Sequence, residues 1–208
     1  MIFFIVQLVS SGQTATKAIL WRLVQGPNHM VKTYKKYRAN GFVFSPKYHD
    51  ETVVTQDNGV CMKAWTTFRA RKSDKRLKDA WTMWYGIIRQ VIELDYTIFK
   101  QVVFYCDWIR VEDKINGCRN CPESNLVMVN FDKFKSSSNE LDEPVILASE
   151  ASQVLYSKDL QNPNWWVVIH SPKRLTRRVD ELDMPMVFQS TIEDQPHLEN
   201  LFKQYGSV

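Results

Sequence analysis

Glu93, Asp95 and Asp107 sit in one stretch of chain, "WYGIIRQVIELDYTIFKQVVFYCDWIRVED", residues 84–113. Carboxylates gathered near strand ends are the residues a metal-dependent nuclease uses. Such an enzyme needs two or three of them converging, so that they clamp ions about 3.5–4 Å apart. The surrounding pattern argues otherwise. Ile88, Ile92, Leu94 and Tyr96 share one parity, as do Val102, Phe104, Cys106 and Trp108. This is the alternation of two strands with one apolar face. On that phase Arg89, Glu93, Asp95 and Asp107 fall on the outer face. Arg89 and Lys100 are near enough to meet the acids as cross-strand ion pairs. The expectation is a solvated hairpin face with no catalytic residues and no metal.

The cysteines offer a second chemistry. Cys118 and Cys121, in "CRNC", are half of a zinc knuckle, and a structural zinc takes four ligands. Of the remaining cysteines, Cys61 and Cys106, the latter lies on the apolar face of its strand. His29, His49, His170 and His197 stand at no ligand spacing. A redox-active pair would open a helix, and none is expected here. Two thiols in a loop is the reading, with no cofactor. Trp84, Tyr85, Tyr105, Trp108, Trp165 and Trp166 could line a cage for a methylated lysine, but small sheets bury tryptophan for bulk. No Gly-rich phosphate loop, nucleophile elbow or His-Glu zinc-protease motif is present. Neither an enzyme nor a small-molecule substrate is indicated.

The bases give the best signal. Lys32, Lys35, Lys36 and Arg38 form one cluster, in "KTYKKYR", where tyrosines interleave with bases. Arg69, Arg71, Lys72, Lys75, Arg76 and Lys78 form a second, and Lys173, Arg174, Arg177 and Arg178 a third. Residues 180–208 hold six acids against one base, a charge of −5. With +4 for the whole chain, residues 1–179 therefore carry +9. A basic body with an acidic tail suits contact with a polyanion. We expect nucleic acid to meet Lys32, Lys35, Lys36, Arg38, Arg69, Arg71, Lys72, Arg76, Lys173 and Arg174. No zinc-finger, RNP or basic-zipper pattern points to a sequence-specific reader.

The elements that must position these residues are mostly strands. Three Asn-Gly pairs, at 40–41, 58–59 and 116–117, suit the positive φ angles of two-residue hairpin turns. "RARKSDKRLKDA" (69–80) reads as a charged loop or one marginal helix, "NLVMVNF" as a strand, and "KSSSNELDEP" as a polar loop. "VILASEASQVLYS" fits helix or strand, "DLQNPN" is a turn, and "WWVVIHS" closes the body as a buried strand. The fold class expected is mainly β: an antiparallel meander or small bent barrel, SH3-like or BAH-like, with N-terminal hairpins and little helix. Residues 1–20 read as a poorly defined leader, 21–175 as a single β-rich domain, and 176–208 as an acidic, weakly structured tail. The apolar run Met1–Val9 is far too short to span a membrane. Four cysteines are too few for a disulfide scaffold, so a reducing, intracellular setting is the default.

Four collinear blocks also carry a resemblance. They are "LVQGPNHMVKTYKKYRANGFVFSPKYHDETVVTQDNGV", "WYGIIRQVIELDY…VVFYCDWIRV", "LVMVNFDKF" and "DEPVILASEASQVLYSKDLQNPNWWVVIHSPKR". Over residues 21–175 the chain resembles the plant domain of unknown function 4216, which recurs in proteins of CACTA (En/Spm-type) DNA transposons and in genes derived from them. Gly26-Pro27, Asn40-Gly41, Tyr85-Gly86, Glu93-Leu94-Asp95-Tyr96, Cys106-Asp107-Trp108, Val129-Asn130-Phe131 and Trp165 match its pattern, as turn and packing positions. The family has no assigned activity, so the resemblance supplies no catalytic residue. It implies a non-catalytic accessory module with DNA, chromatin or a transposase as partner, in the nucleus. A protein–protein or oligomerisation module is the alternative, and a divalent-metal nuclease a third. "TIFKQ" replaces the family's Pro/Gly-rich turn, and Cys118 and Cys121 stand where the family usually lacks cysteine, which argues against zinc as a family function.

Overall fold

The computed structural model describes residues 17–50, 55–68, 78–121, 124–135, 144–173 and 187–191. Twelve strands dominate: β1 (Met30–Tyr34), β2 (Tyr37–Ala39), β3 (Phe42–Phe44), β4 (Gly59–Phe68), β5 (Lys78–Asp95), β6 (Lys100–Trp108), β7 (Cys118–Asn120), β8 (Val127–Val129), β9 (Val145–Leu147), β10 (Ser152–Lys158), β11 (Trp166–His170) and β12 (Val187–Thr191). Among the described residues helix is confined to Lys17–Gln25, Lys47–Asp50 and a 3-10 turn at Ala148–Glu150. No described helix is long and apolar enough to cross a membrane. Ten strands form one sheet in the order β12-β1-β5-β4-β10-β11-β8-β7, with β6 and β9 branching from β5, while β2 and β3 pair separately. The meander is therefore open, and no closed barrel forms among the described strands.

β5 organises the sheet. Its first half pairs with β4, from Lys78 opposite Phe68 to Ile87 opposite Gly59. Its second half pairs with β6, from Gly86 opposite Trp108 to Asp95 opposite Lys100. Between Ile88 and Gln90 the register shifts by one residue, leaving Arg89 as the extra residue of a bulge. A one-residue insertion sends every later side chain to the other face. Ile88 thus packs in the main core, with Val91, Phe104, Cys106, Trp108 and Tyr156. Ile92, Leu94 and Tyr96 pack in a second cluster with Leu23, Val31, Val103 and Leu147. The single parity read from Ile88 to Tyr96 is corrected here: the bulge splits those residues between two faces, both covered.

The turns divide. Asn40 and Gly41 both have positive φ, 54° and 81°, and join β2 to β3 as a two-residue hairpin turn. Asn58-Gly59 makes no hairpin, because Gly59 starts β4. Asn116-Gly117 lies in the turn-rich link before β7, and Gly117 lacks the positive φ of a hairpin glycine. The connector read over 69–80 ends earlier, since Lys78, Asp79 and Ala80 already belong to β5. "VILASEASQVLYS" resolves into β9, the 3-10 turn and β10. β11 is only half-buried, with Val168 its one buried side chain.

The Lys17–Gln25 helix lays Leu23 on the second cluster and ends at Gly26, whose φ of 83° suits a helix C-terminus. Val187–Thr191, inside the acidic stretch, pairs with all five residues of β1.

Candidate nucleic-acid interface

The acids of the β5–β6 hairpin do not converge. Glu93 lies opposite Val102 and Asp107 opposite Ile87, five residues apart along β6, or roughly 17 Å at strand spacing. Because Val102 faces the main core and Asp107 has the other parity, Glu93 and Asp107 also point to opposite faces. Each has a basic partner. Arg89, thrown out by the bulge, donates to Asp107 through Nε and forms a salt bridge with it. Lys100 meets Glu93 at 3.0 Å. Among the described residues no group of three or more His, Cys, Asp or Glu is placed to hold a metal. The nuclease alternative is set aside: Glu93 and Asp107 are held in ion pairs on two faces, and Asp95 accepts from the Thr97 amide in the turn.

Glu93 is not a surface acid. Its side chain is only 13% exposed, and the Tyr34 hydroxyl donates to it at 2.5 Å. Burial works to raise its carboxyl, but the Tyr34 hydrogen bond, Lys100 and Lys32 together hold it below its ordinary value. Lys32, opposite Glu93 in register, thus turns its charge toward the protein itself. Met30, Val31, Lys32, Glu93 and Asp95 line a shallow cleft of about 250 Å³.

The thiols are equally closed. Cys61, Cys106 and Cys118 are buried and Cys121 half-buried, none in a disulfide. Cys118 opens β7 and sits in the main core. The sulfur of Cys61 lies 4.0 Å from Nδ1 of His170, a pairing of residues more than a hundred positions apart. A nucleophilic cysteine needs its thiolate, and burial pushes the Cys61 thiol up to about 12. Burial also raises Cys106 and Cys118. A thiol reagent at about pH 8 is expected to label native protein at Cys121 alone, and the other three only in denaturant. Rapid native labelling at Cys61 would show that this side of the core opens.

The aromatic candidates form no common cage. Tyr85 and Trp108 are buried in the main core, while Tyr105 packs against the second cluster on the other face. Trp84 and Trp165 already carry the chain's own cations, Lys135 at 4.3 Å and Arg119 at 4.0 Å from the ring centroids. Trp166 packs on Phe131.

Of the bases, the structure describes Lys32, Lys35, Lys36, Arg38 and Lys173. Arg69, Arg71, Lys72, Arg76 and Arg174 lie outside the described residues. Lys35 and Lys36 link β1 to β2, and Arg38 is exposed on β2. Lys173 runs beside the turn of that hairpin: a Cβ on Gly41 would stand 3.4 Å from its Cβ. The Asn40 side chain ties the turn down, donating to the carbonyls of Ala148, Ser149 and Ala151. Lys173, the one described base of the third cluster, thereby lies beside the turn of the hairpin that carries Arg38.

Residues 92–168 match the family model described as Domain of unknown function (DUF4216). This segment is similar to that family. It covers the end of β5, all of β6 to β10 and most of β11, a narrower span than the 21–175 over which the resemblance was read. The β-rich expectation holds for the matched segment and for the strands flanking it. No curated protein and no solved structure matches the chain.

One feature escaped the sequence reading. Trp65 and Trp81, on β4 and β5, face each other in register and remain exposed. Exposure is invisible in sequence, and the turn assumed at Asn58-Gly59 hid the pairing. Placing the turn in the basic 69–77 stretch would have set the two tryptophans opposite one another.

Proposed function

We propose that this protein is a non-catalytic accessory module of a transposon-derived plant protein, acting in the nucleus, which contacts DNA through its basic face. The observation that carries the reading is the meeting of Lys173 with the turn of the β2–β3 hairpin, on which Arg38 is exposed. The charge of +9 on residues 1–179 supports attraction to DNA at range. The nearby hydrogen bonds of Asn40 fix the hairpin, so that contact there requires little ordering.

The test uses the full chain and a labelled duplex across a salt series. The logarithm of the association constant should fall linearly with that of salt, with a slope of about 0.9 per phosphate contacted. Charge reversal of Lys35, Lys36, Arg38 and Lys173 together should lower affinity by about 10-fold or more and flatten the slope. Absence of binding even at low salt would end the proposal. The other reading, docking on a transposase, a chromatin protein or a second copy, predicts a mass that rises with concentration and barely responds to salt.

A further inference from the structure

Beyond Cys61 and Tyr85 the β4–β5 pair leaves the rest of the sheet. β10 reaches β4 only at Val60 and Cys61, and β6 reaches β5 only as far as Gly86. From Met62 opposite Trp84 to Phe68 opposite Lys78, the two strands pair with each other alone among the described strands. This is a two-stranded arm, and on one of its faces stand Lys63, Trp65 and Trp81.

The two indoles meet edge to face, centroids 5.5 Å apart and planes at 73°. Such a contact staples a ribbon that would be marginal by itself. Yet a staple leaves much unused: Trp65 is 56% and Trp81 61% exposed. Lys63 holds its ammonium 5.7 Å from the Trp81 centroid. The residues that join the strands, 69–77, carry five bases and one acid in sequence. Open aromatic faces in a basic stretch of chain are what an unpaired nucleic-acid strand requires, since bases stack on the rings while lysine and arginine meet the phosphates. A duplex has its bases already stacked and offers the rings nothing equivalent. An apolar protein partner would gain from the indoles but not from the surrounding charge.

We infer that the β4–β5 arm is a binding site for single-stranded nucleic acid, with Trp65 and Trp81 as its stacking platform and Lys63 as a phosphate contact. This rests on the reading of the protein as a nucleic-acid-binding module and adds the class of strand it takes.

The experiment measures binding of the full chain to a labelled oligothymidylate about 20 nucleotides long and to a duplex of the same length, each over a salt series. The variants are Trp65→Ala/Trp81→Ala, Trp65→Phe/Trp81→Phe and Lys63→Glu, with the thermal unfolding of each recorded. The double alanine variant should lose about 10-fold or more in affinity for the single strand. Its duplex affinity should be unchanged, and the double phenylalanine variant should keep most of the single-strand binding. If the alanine variant does not fold, Lys63→Glu decides, because it leaves the ring pair in place and should still weaken the single strand. Unchanged single-strand affinity in the folded variants overturns the inference, while salt-dependent duplex binding would leave the basic-face reading standing. Binding to neither probe removes both. Self-association lost with the tryptophans, without effect on the single strand, would assign the pair to a protein interface instead.

Discussion

Gly59→Ala is expected to destabilise the protein by about 3 kcal/mol or more. At this position a Cβ would stand 2.1 Å from the carbonyl oxygen of Val154 and 3.0 Å from the Tyr156 ring. The oxygen belongs to the backbone of β10, whose neighbouring residues Ser152 and Gln153 pair with Cys61 and Val60. Relief therefore requires β10 to move away from β4. Gln153, buried at that seam, donates to the Val43 carbonyl, so the shift would also break the tie to the β2–β3 hairpin. Overpacking a core typically costs about 1–3 kcal/mol, and a clash with fixed backbone lies at or beyond the upper end. Domains are stable by only about 5–15 kcal/mol in total. Gly26→Ala is the control: there a Cβ meets nothing within 4 Å, and only the φ of 83° opposes it, at about 1–2 kcal/mol. Urea unfolding of both variants decides. A Gly59→Ala protein within about 1 kcal/mol of wild type would mean that β4 and β10 are not packed as described.

The second large effect concerns Glu93. Its carboxyl in the folded protein lies below the ordinary value of 4.5. A group so depressed contributes stability that is fully present above its unfolded value. That stability is lost as pH falls through the folded value. Glu93→Leu should remove this part of the acid limb, giving a curve flatter than wild type below about pH 4.5. At neutral pH the same change leaves the buried Tyr34 hydroxyl without its acceptor, at about 1–3 kcal/mol. Tyr34→Phe combined with Glu93→Leu should cost less than the two single changes added, because both delete one hydrogen bond. Denaturation followed across the acid range, together with that cycle, tests the point. Full additivity, or an unchanged acid limb, would place Glu93 in solvent after all.

That acid was read as part of a solvated strand face. The ion pairs themselves were legible: Arg89 and Lys100 do bind Asp107 and Glu93, because cross-strand neighbours can be counted from a hairpin's register. The face was not, because a bulge is one residue without partner and leaves no mark in an alternating pattern. Gly59 shows the same limit. Asn-Gly carries a turn signal wherever it occurs, but the approach of Val154 decides why this glycine is needed. At Asn40-Gly41 the distant contacts of Asn40 hold the turn in place, and the hairpin forms as its dipeptide suggests.

By itself the sequence determined the strand-rich class, the Asn40-Gly41 hairpin, the apolar alternation of β6, the DUF4216 likeness and the uneven charge. All of these rest on neighbours a few residues apart or on composition. The tertiary structure alone decided which face Glu93 enters, that Val187–Thr191 pairs with β1, that Lys173 lies beside the Asn40-Gly41 turn, and that Trp65 and Trp81 stand exposed on one arm. Each of these depends on residues distant in the chain being brought together, and local periodicity holds no record of such pairings.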